Sequence, residues 1–200
     1  MKKLRLGVIF GSRSVEHEVS VITAIQLMKN VDRTKYDVVP IYVDKMGRWL
    51  TGPHLENIEA YKNLELVHKN IAYPLLASPD TALVPFSARE KIQTLGSIDV
   101  AIICCHGTLG EDGTIQGLLE LAGVPYQGPG VLGSAVCMDK IITKQVLASA
   151  RLPILLYEWF TAKNWKEHKQ NVLKKLLNHP YPLYVKPANL GSSVGITKAV

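Results

Sequence analysis

Cysteine is scarce in this chain of 200 residues, which contains only Cys104, Cys105 and Cys137. All three lie in apolar stretches, so we expect reduced core residues and no disulfide framework. Cys104 and Cys105 could form half of a metal site together with His106. No second cluster of metal ligands exists in the sequence, which argues against a structural zinc.

Long apolar runs are also missing. No stretch approaches the roughly 20 apolar residues that a membrane-spanning helix needs. The basic start Met1-Lys2-Lys3 resembles a signal peptide, but Arg5 interrupts the following apolar run and no small-residue cleavage site appears. We therefore expect a cytoplasmic protein with no membrane partner.

Neither an internal repeat nor a low-complexity segment is visible, and the length suits one large domain or two small ones. The net charge of +6 favours anionic ligands but is too diffuse to indicate nucleic acid. Five lysines between residues 163 and 175 fall on a predicted amphipathic helix, where Trp165 is the only aromatic residue. A solvated helix face explains them better than a nucleic-acid surface.

The first half of the chain alternates strand and helix patterns. Buried strands are predicted at Leu4–Phe10, Tyr36–Val43 and Asp99–Cys105, and the last of these lacks alternation, as expected where both sheet faces are covered. A helix follows the first strand with Ser14 as its predicted N-cap. A second helix follows the third strand and ends at Gly123. This alternation predicts an open, mostly parallel α/β sheet.

The second half is predicted to form a smaller unit. Its patterns indicate a helix at about Ser134–Ala148, a strand near Leu155–Phe160, the basic helix and a final strand that ends at Lys186. We place the domain boundary close to Gly128, which gives domains at residues 1–128 and 129–200. Between the first-half strands, short strand-like pieces also occur at residues 73–76 and 82–86.

Gly128-Pro129-Gly130-Val131-Leu132-Gly133 matches the G-x-G-x-x-G pattern of dinucleotide-binding proteins. Such a site needs the motif directly after a first strand, with an acidic residue about 20 positions further on. Only Val124–Gln127 precedes the motif here, and Glu158 is a poorly placed acid. We interpret residues 128–133 as a loop between domains, and a nicotinamide-dependent oxidoreductase remains the alternative from another enzyme class.

Two loops follow predicted strands at the edge where open α/β sheets bind ligands. Glu16 lies where the first strand runs into its helix, and its carboxylate could pair with a substrate ammonium. His106 opens a loop with three glycines, which indicates backbone close to a ligand, and its imidazole could meet a carboxylate. Helix capping and a structural loop are the competing explanations.

A third loop, Gly191-Ser192-Ser193-Val194-Gly195, places two hydroxyl residues between glycines. Its backbone N–H groups could approach an anion closely. Lys186, five residues before the loop, adds a point charge suited to phosphate. A flexible surface turn is the alternative.

Four ordered segments over essentially the whole chain resemble the motifs of D-alanine–D-alanine ligases, a family with the ATP-grasp fold. They are Phe10–Ser20, His106–Gly117, Met138–Lys140 and Lys186–Gly195. Ser12 departs from the pattern, since a second glycine is usual there. The resemblance implies a Rossmann-like N-terminal domain over residues 1–128 and an incomplete ATP-grasp α+β domain over residues 129–200.

The reaction implied by the resemblance is the ATP-dependent ligation of two D-alanines for peptidoglycan synthesis. ATP phosphorylates one carboxylate to an acyl phosphate, which the amine of the second D-alanine attacks. Glu16 would hold the first ammonium and His106 would lie near its carboxylate. Glu16 and Ser192 would be the catalytic residues, with Ser192 near the substrate. The implied ATP-binding residues are Lys140, Lys186, Gly191, Ser192, Ser193 and Gly195.

The resemblance also implies Mg²⁺ or Mn²⁺, held by ligands in a further lobe outside these residues, and a homodimer. The 200-residue chain alone is therefore expected to be inactive. A D-alanine–D-lactate or D-alanine–D-serine ligase is an alternative within the family. A chain that only binds an amino acid or a partner is the alternative without catalysis.

Overall fold

The computed structural model describes residues 2–62, 67, 72–74, 83–85 and 97–200. Contacts divide the chain into two compact units, Met1–Ala135 and Val136–Val200. The predicted boundary at Gly128 stays a prediction. Within the described residues, no helix is long and apolar enough to cross a membrane.

The first unit is an α/β layer structure. Its strands are β1 (Leu4–Gly11), β2 (Tyr36–Val43), β3 (Trp49–Thr51), β4 (Ala72–Pro74), β5 (Leu83–Pro85), β6 (Val100–Ile103) and β7 (Tyr126–Gln127). Among the residues that the structure describes, its helices are α1 (His17–Asn30) and α2 (Thr114–Leu121), and short 3-10 turns occur at Pro53–Glu56 and Ile58–Lys62. The predicted strand-like pieces at 73–76 and 82–86 lie only partly within the described residues, where β4 and β5 form an antiparallel pair.

The main sheet has the strand order β3-β2-β1-β6-β7. The pairs β1–β2, β1–β6 and β6–β7 are parallel, and only β3 runs antiparallel to its neighbour β2. The prediction of an open, mostly parallel sheet is confirmed. Because β1 and β6 are adjacent and parallel, the loops that follow them leave the same edge of the sheet.

Side-chain alternation along β1 supplies a core on each face of the sheet. Leu6, Val8 and Phe10 pack with the buried side of α1, including Val21, while Ile9 packs on the opposite face. There the partners are Ile41, Ala101, Ile115 and Leu119, of which the last two belong to α2. Burial on both faces accounts for the near-continuous apolar sequence of β1.

The second unit consists of helices and one hairpin. Helix α3 (Val131–Met138) leads from the first unit into it, and α4 (Lys140–Ser149), α5 (Ala162–Leu176), β8 (Leu183–Val185) and β9 (Thr197–Ala199) follow. The hairpin pairs Val185 with Thr197 and Leu183 with Ala199. Thr161 and Asn164 form a capping box at the start of α5, and the lysines of this helix are solvent-exposed, which confirms the solvated face.

Two predictions about local structure in this region are wrong. The predicted helix at 134–148 is two helices, because Asp139 is extended and its carboxylate accepts from the amides of Ile141 and Ile142 as the N-cap of α4. Residues 155–160 form no strand, and Leu155 and Leu156 are 82% and 83% exposed. Their apolar character therefore does not reflect burial within this chain.

The predictions for Cys137 and Gly128–Gly133 also need correction. Cys104 and Cys105 are buried as expected, and burial raises the pKa values of their thiols to about 11 and about 12. Cys137 is exposed on α3 and is not a core residue. The glycine-rich segment is a loop only through Gly130, since Val131 begins α3.

Candidate functional site

The turn between β1 and α1 is tightly connected to the neighbouring strands. Gly11 has a φ of +93°, and a Cβ there would lie 2.1 Å from the carbonyl oxygen of Val43. The Gly11 amide donates to Ser20 Oγ (2.7 Å), which in turn donates to the Cys104 carbonyl (2.7 Å). The ends of β1 and β6 and the start of α1 are thereby held together.

Glu16 lies directly before α1, at its N-terminus. Ser14, the predicted N-cap, instead accepts from the Glu16 amide through Oγ (3.1 Å), and its carbonyl accepts from the His17 amide (3.3 Å). The prediction that Ser14 caps the helix is wrong because the chain turns for two more residues before helical geometry begins. Its hydroxyl thus orders the turn that presents Glu16.

His106 follows β6 and is held from two sides. Its Nε2 lies 3.0 Å from Thr23 Oγ1 on α1, and its Nδ1 lies 3.9 Å from Glu111 Oε1. Thr23 Oγ1 also donates to the Val19 carbonyl (2.9 Å). Since a hydroxyl has a single proton, this leaves Thr23 to accept from the N–H at Nε2 of His106. The His106 side chain is 32% exposed.

The loop after His106 is shaped by two carboxylates. Glu111 Oε2 accepts from the Gly107 amide (2.9 Å). Asp112 accepts from the amides of Leu109 (2.7 Å) and Thr114 (3.0 Å). Burial works against the ionised form of Asp112, but hydrogen bonds from the Thr114 side chain and from these amides lower its pKa. The loop is therefore ordered by acceptors within it.

Gly107 brings the two predicted loops together. It has a φ of +71°, and a Cβ at this position would lie 2.3 Å from Glu16 Oε2 and 2.8 Å from Ser14 Oγ. The backbone of the His106 loop thus packs directly against the Glu16 carboxylate. Sequence reasoning placed Glu16 and His106 at one edge of the sheet, but it missed Thr23, which no motif marked.

Charged side chains from the loop after β2 complete this edge. Lys45 Nζ pairs with Glu18 Oε1, and Arg48 Nε lies 2.6 Å from Asp44 Oδ2. Burial of Asp44 opposes ionisation, yet hydrogen bonds from Arg48 and from the Met46 amide lower its pKa. Lys45 thus pairs with a side chain of α1, and Arg48 pairs within the loop.

In the second unit, Lys140 connects α4 to the segment that precedes the Gly-Ser-Ser loop. Its Nζ donates to the carbonyl oxygens of Leu190 (2.6 Å) and Ala188 (3.4 Å), and its amide donates to Ala188 as well (3.1 Å). The Asn189 amide group donates to Asp139 Oδ2 (2.9 Å). The start of α4 and residues 188–190 therefore form one hydrogen-bonded corner.

Residues 191–195 form a compact turn with left-handed backbone. The φ angles are +47° at Ser192, +61° at Ser193 and +71° at Gly195. The Val194 amide donates to Gly191 O (3.0 Å), and the Ile196 amide donates to Ser193 O (3.2 Å). Left-handed conformations at non-glycine residues are costly and concentrate at functional sites. Both serines are exposed.

Lys186 follows β8 and is exposed. The adjacent Pro187 packs against the loop, since a Cβ on Gly195 would lie 2.9 Å from Pro187 Cγ. The structure therefore brings the Lys186-Pro187 segment and the loop 191–195 into contact within the second unit. The roles of Lys140, Lys186 and the loop residues stay predictions.

The corner held by Lys140 supports a prediction about loop order. Lys140→Met should speed amide hydrogen exchange at residues 188–195 about tenfold, because loss of the Leu190 contact removes a charge-assisted hydrogen bond of ~1.5 kcal/mol. Helix α4 should keep its protection, since Asp139 still caps it.

Lys144→Met is the matched control for this measurement. Lys144 lies one turn further along α4 and donates to Leu155 O (3.0 Å). Its loss should affect exchange near residue 155 and leave residues 188–195 unchanged. Equal exchange at 188–195 in both variants would contradict the role of Lys140.

Metal ligands are not grouped in the part of the chain that the structure describes. No three His, Cys, Asp or Glu side chains there lie together as a metal ion would require. These residues do not fit a Mg²⁺ site, and a bound metal would need ligands from elsewhere.

The fold and these loops define an α/β protein with a candidate ligand-binding edge at the carboxyl ends of β1 and β6. Two family models match the amino-acid sequence of the chain. The model described as "D-ala D-ala ligase N-terminus" matches residues 5–129, and "D-ala D-ala ligase C-terminus" matches residues 146–200. The chain belongs to the D-alanine–D-alanine ligase family.

Curated relatives carry the same family name. The D-alanine–D-alanine ligase of Natranaerobius thermophilus is 41% identical over 201 residues, which cover 99% of this chain and 53% of the relative. The D-alanine–D-alanine ligase of Thermosipho africanus is 44% identical over 196 residues, which cover 98% of this chain and 52% of the relative. The chain thus spans about half the length of the curated relatives it matches.

Solved structures support the fold. A D-alanine–D-alanine ligase from Coxiella burnetii superposes with a TM-score of 0.83 at 33% identity, covering 100% of this chain and 55% of that one. A D-Ala:D-Ser ligase from Enterococcus faecalis gives a TM-score of 0.80 at 29% identity, and the match covers 98% of this chain and 55% of that one. The relatives named are all ligases, and none of them supports the nicotinamide-dependent alternative.

Proposed function

We propose that the natural-length protein containing this chain joins two D-alanines to D-alanyl-D-alanine with ATP, for peptidoglycan synthesis. The γ-phosphoryl group of ATP passes to the carboxylate of the first D-alanine, which gives ADP and an acyl phosphate. The amine of the second D-alanine attacks the acyl carbon, and phosphate leaves. We further propose a cytoplasmic homodimer without a nucleic-acid or membrane partner.

The close approach of Gly107 to the Glu16 carboxylate is the observation that carries this proposal. It sets a carboxylate against the loop that opens with His106, at the sheet edge where α/β proteins bind ligands. An amino acid has an ammonium and a carboxylate a short distance apart. Glu16 would attract the ammonium and His106 would lie near the carboxylate, so this pair suits an amino-acid substrate.

The phosphoryl half of the reaction fits the second unit. Phosphoryl transfer depends on positioning and charge neutralisation more than on covalent help from the protein. Lys186 and the left-handed loop at residues 191–195 would contact ATP phosphates, and Ser192 would approach the transferring group. Lys140 would set the loop position and add positive charge. Mg²⁺ or Mn²⁺ would neutralise phosphate charge through ligands outside the described residues.

A coupled ADP-release assay tests the proposal. The natural-length protein, supplied with ATP and Mg²⁺, should release ADP only when D-alanine is present, and D-alanyl-D-alanine should accumulate in equal amount. The 200-residue chain alone should stay at background, because it spans about half of its relatives. ADP release that ignores D-alanine would refute the proposed function.

A D-alanine–D-serine ligase is the second candidate, favoured by the similarity to the Enterococcus faecalis enzyme. The same assay separates the two candidates when D-serine or D-lactate is added beside limiting D-alanine. Mixed products identified by mass spectrometry would assign the second substrate. D-alanyl-D-alanine as the sole product would support the first candidate.

Glu16→Gln tests the ammonium-binding role. Loss of one charged hydrogen-bond partner should cost about 2–3 kcal/mol of D-alanine binding, which corresponds to a rise in the first D-alanine KM of roughly 30- to 150-fold. The KM for ATP should change little. Steady-state kinetics with each substrate varied separately would measure this.

Glu18→Gln is the matched control, since it removes the same charge two residues away. Glu18 is exposed and paired with Lys45 at the surface, where an ion pair contributes little. A D-alanine KM and kcat within twofold of wild type for Glu16→Gln would remove Glu16 from the site.

A further inference from the structure

We propose that His17 is a positioning residue that holds Glu16 in place through the carbonyl of Ser12, which rests on the proposed function of Glu16. His17 is 4% exposed, and its Nδ1 lies 2.7 Å from the Ser12 carbonyl oxygen. This hydrogen bond closes a loop over residues 12–17, and Glu16 lies within it. The imidazole therefore constrains the backbone that carries the carboxylate.

Ser12 needs such a constraint. It has a φ of +82°, which is costly for a residue with a Cβ, and it is 1% exposed. Its amide donates to the Val43 carbonyl (2.7 Å), so both backbone polar groups of Ser12 are held. A strained residue persists only where its surroundings over-determine its conformation. The conformation of Ser12 is constrained by two contacts, the hydrogen bond from His17 to its carbonyl and the hydrogen bond from its amide to Val43.

The second ring nitrogen of His17 determines the orientation of the imidazole. Nε2 lies 2.8 Å from the hydroxyl of Tyr42 on β2. A carbonyl can only accept, so Nδ1 donates to Ser12, and in the neutral imidazole Nε2 then accepts from the Tyr42 hydroxyl. Burial, with the charges of Asp44 and Glu18, raises the pKa of Tyr42 to about 12, so the hydroxyl keeps its proton at neutral pH.

The site leaves little room for Glu16 to shift. A Cβ on Gly107 would lie 2.3 Å from Glu16 Oε2 and 2.8 Å from Ser14 Oγ, so both side chains lie against the Gly107 backbone. Relaxation of the loop at residues 12–17 would move the carboxylate against the Gly107 backbone or away from the substrate. A displacement of this kind changes substrate affinity even when the fold is intact.

Two amide substitutions separate the two ring contacts. In His17→Asn the side-chain amide nitrogen can take the place of Nδ1 and donate to Ser12, while in His17→Gln it can take the place of Nε2 and reach only Tyr42. We expect the Gln variant to raise the D-alanine KM about tenfold through loss of a buried hydrogen bond, with an unchanged ATP KM. The Asn variant should stay within about threefold of wild type.

Tyr42→Phe completes the comparison, since it removes the hydroxyl and keeps the ring that packs on Phe10 and Tyr61. The D-alanine KM should stay within about threefold, because the Ser12 contact remains. Unfolding midpoints are measured for all three variants. A role limited to stability predicts KM changes that follow the midpoints, and equal KM values for the Asn and Gln variants would overturn the proposal.

A measurement without substrate tests the positioning role of His17 independently of the proposed ligase function. In ¹⁵N spectra of the 200-residue chain, His17 should show the Nδ1–H tautomer, and the amides of Glu16 and Gly107 should shift in His17→Gln but not in His17→Asn. If the natural-length protein shows no D-alanine-dependent ADP release while the variants of the 200-residue chain give these shifts, the ligase function alone is refuted. An Nε2–H tautomer, or equal shifts in both variants, refutes the positioning role.

Discussion

Gly107→Ala should lower kcat/KM for D-alanine by about 10²-fold, since a displacement of about 1 Å at a reacting site has an effect of this size. The new Cβ would lie 2.3 Å from Glu16 Oε2, so either the carboxylate or the loop must move. The KM for ATP should be unchanged. Initial-rate kinetics with D-alanine and ATP varied in turn would measure both values.

The backbone strain of this substitution needs its own control. Alanine at the φ of +71° of Gly107 costs about 1–2 kcal/mol of stability, independent of any clash. Gly123→Ala carries the same strain at a φ of +65°, but its Cβ would meet no atom within 4 Å. Both variants should lose similar stability in chemical denaturation, and only Gly107→Ala should lose D-alanine activity. Equal kinetics in the two variants would disprove the steric argument.

The sheet could be predicted from the sequence because burial on both faces leaves a direct pattern. The predicted Tyr36–Val43 strand has the observed bounds, and β1 extends its prediction by Gly11 alone. The Asp99–Cys105 prediction is longer than β6, which covers Val100–Ile103. Apolar periodicity indicates which residues are buried, but it does not indicate where the hydrogen bonds between neighbouring strands end.

The second unit was harder to predict, since its structure depends on single polar contacts. Asp139 divides one apolar periodic stretch into α3 and α4 by capping the second helix. Leu155 and Leu156 have the composition of a strand but pair with no strand in the described residues. Apolar composition alone cannot distinguish a strand from an exposed segment.

The candidate site also has one part that the sequence predicts and another that it does not. Topology predicted that the Glu16 and His106 loops would share one sheet edge, because β1 and β6 are parallel neighbours. The contacts of His17 with Tyr42 and of His106 with Thr23 join residues far apart in sequence through side-chain rotamers. A single sequence carries no signal for such pairs.

Lys186→Met should reduce kcat by about 10²–10³-fold, the effect of losing one preorganised group that stabilises developing charge. Lys186 directly follows β8, and the adjacent Pro187 contacts the loop 191–195 at Gly195. Because Lys186 is exposed, its replacement should leave the unfolding midpoint close to that of wild type. Single-turnover measurement of ADP formation would isolate the phosphoryl step.

Lys198→Met provides the control for charge and location. Lys198 is exposed on β9, opposite Tyr184 in the same hairpin, so its loss changes the net charge equally. If long-range attraction of ATP explained the effect of Lys186, both variants would weaken ATP binding alike, and added salt would reduce the difference from wild type. A local role predicts slow ADP formation in Lys186→Met alone. Unchanged ATP affinity by calorimetry, together with normal ADP formation, would exclude Lys186 from the site.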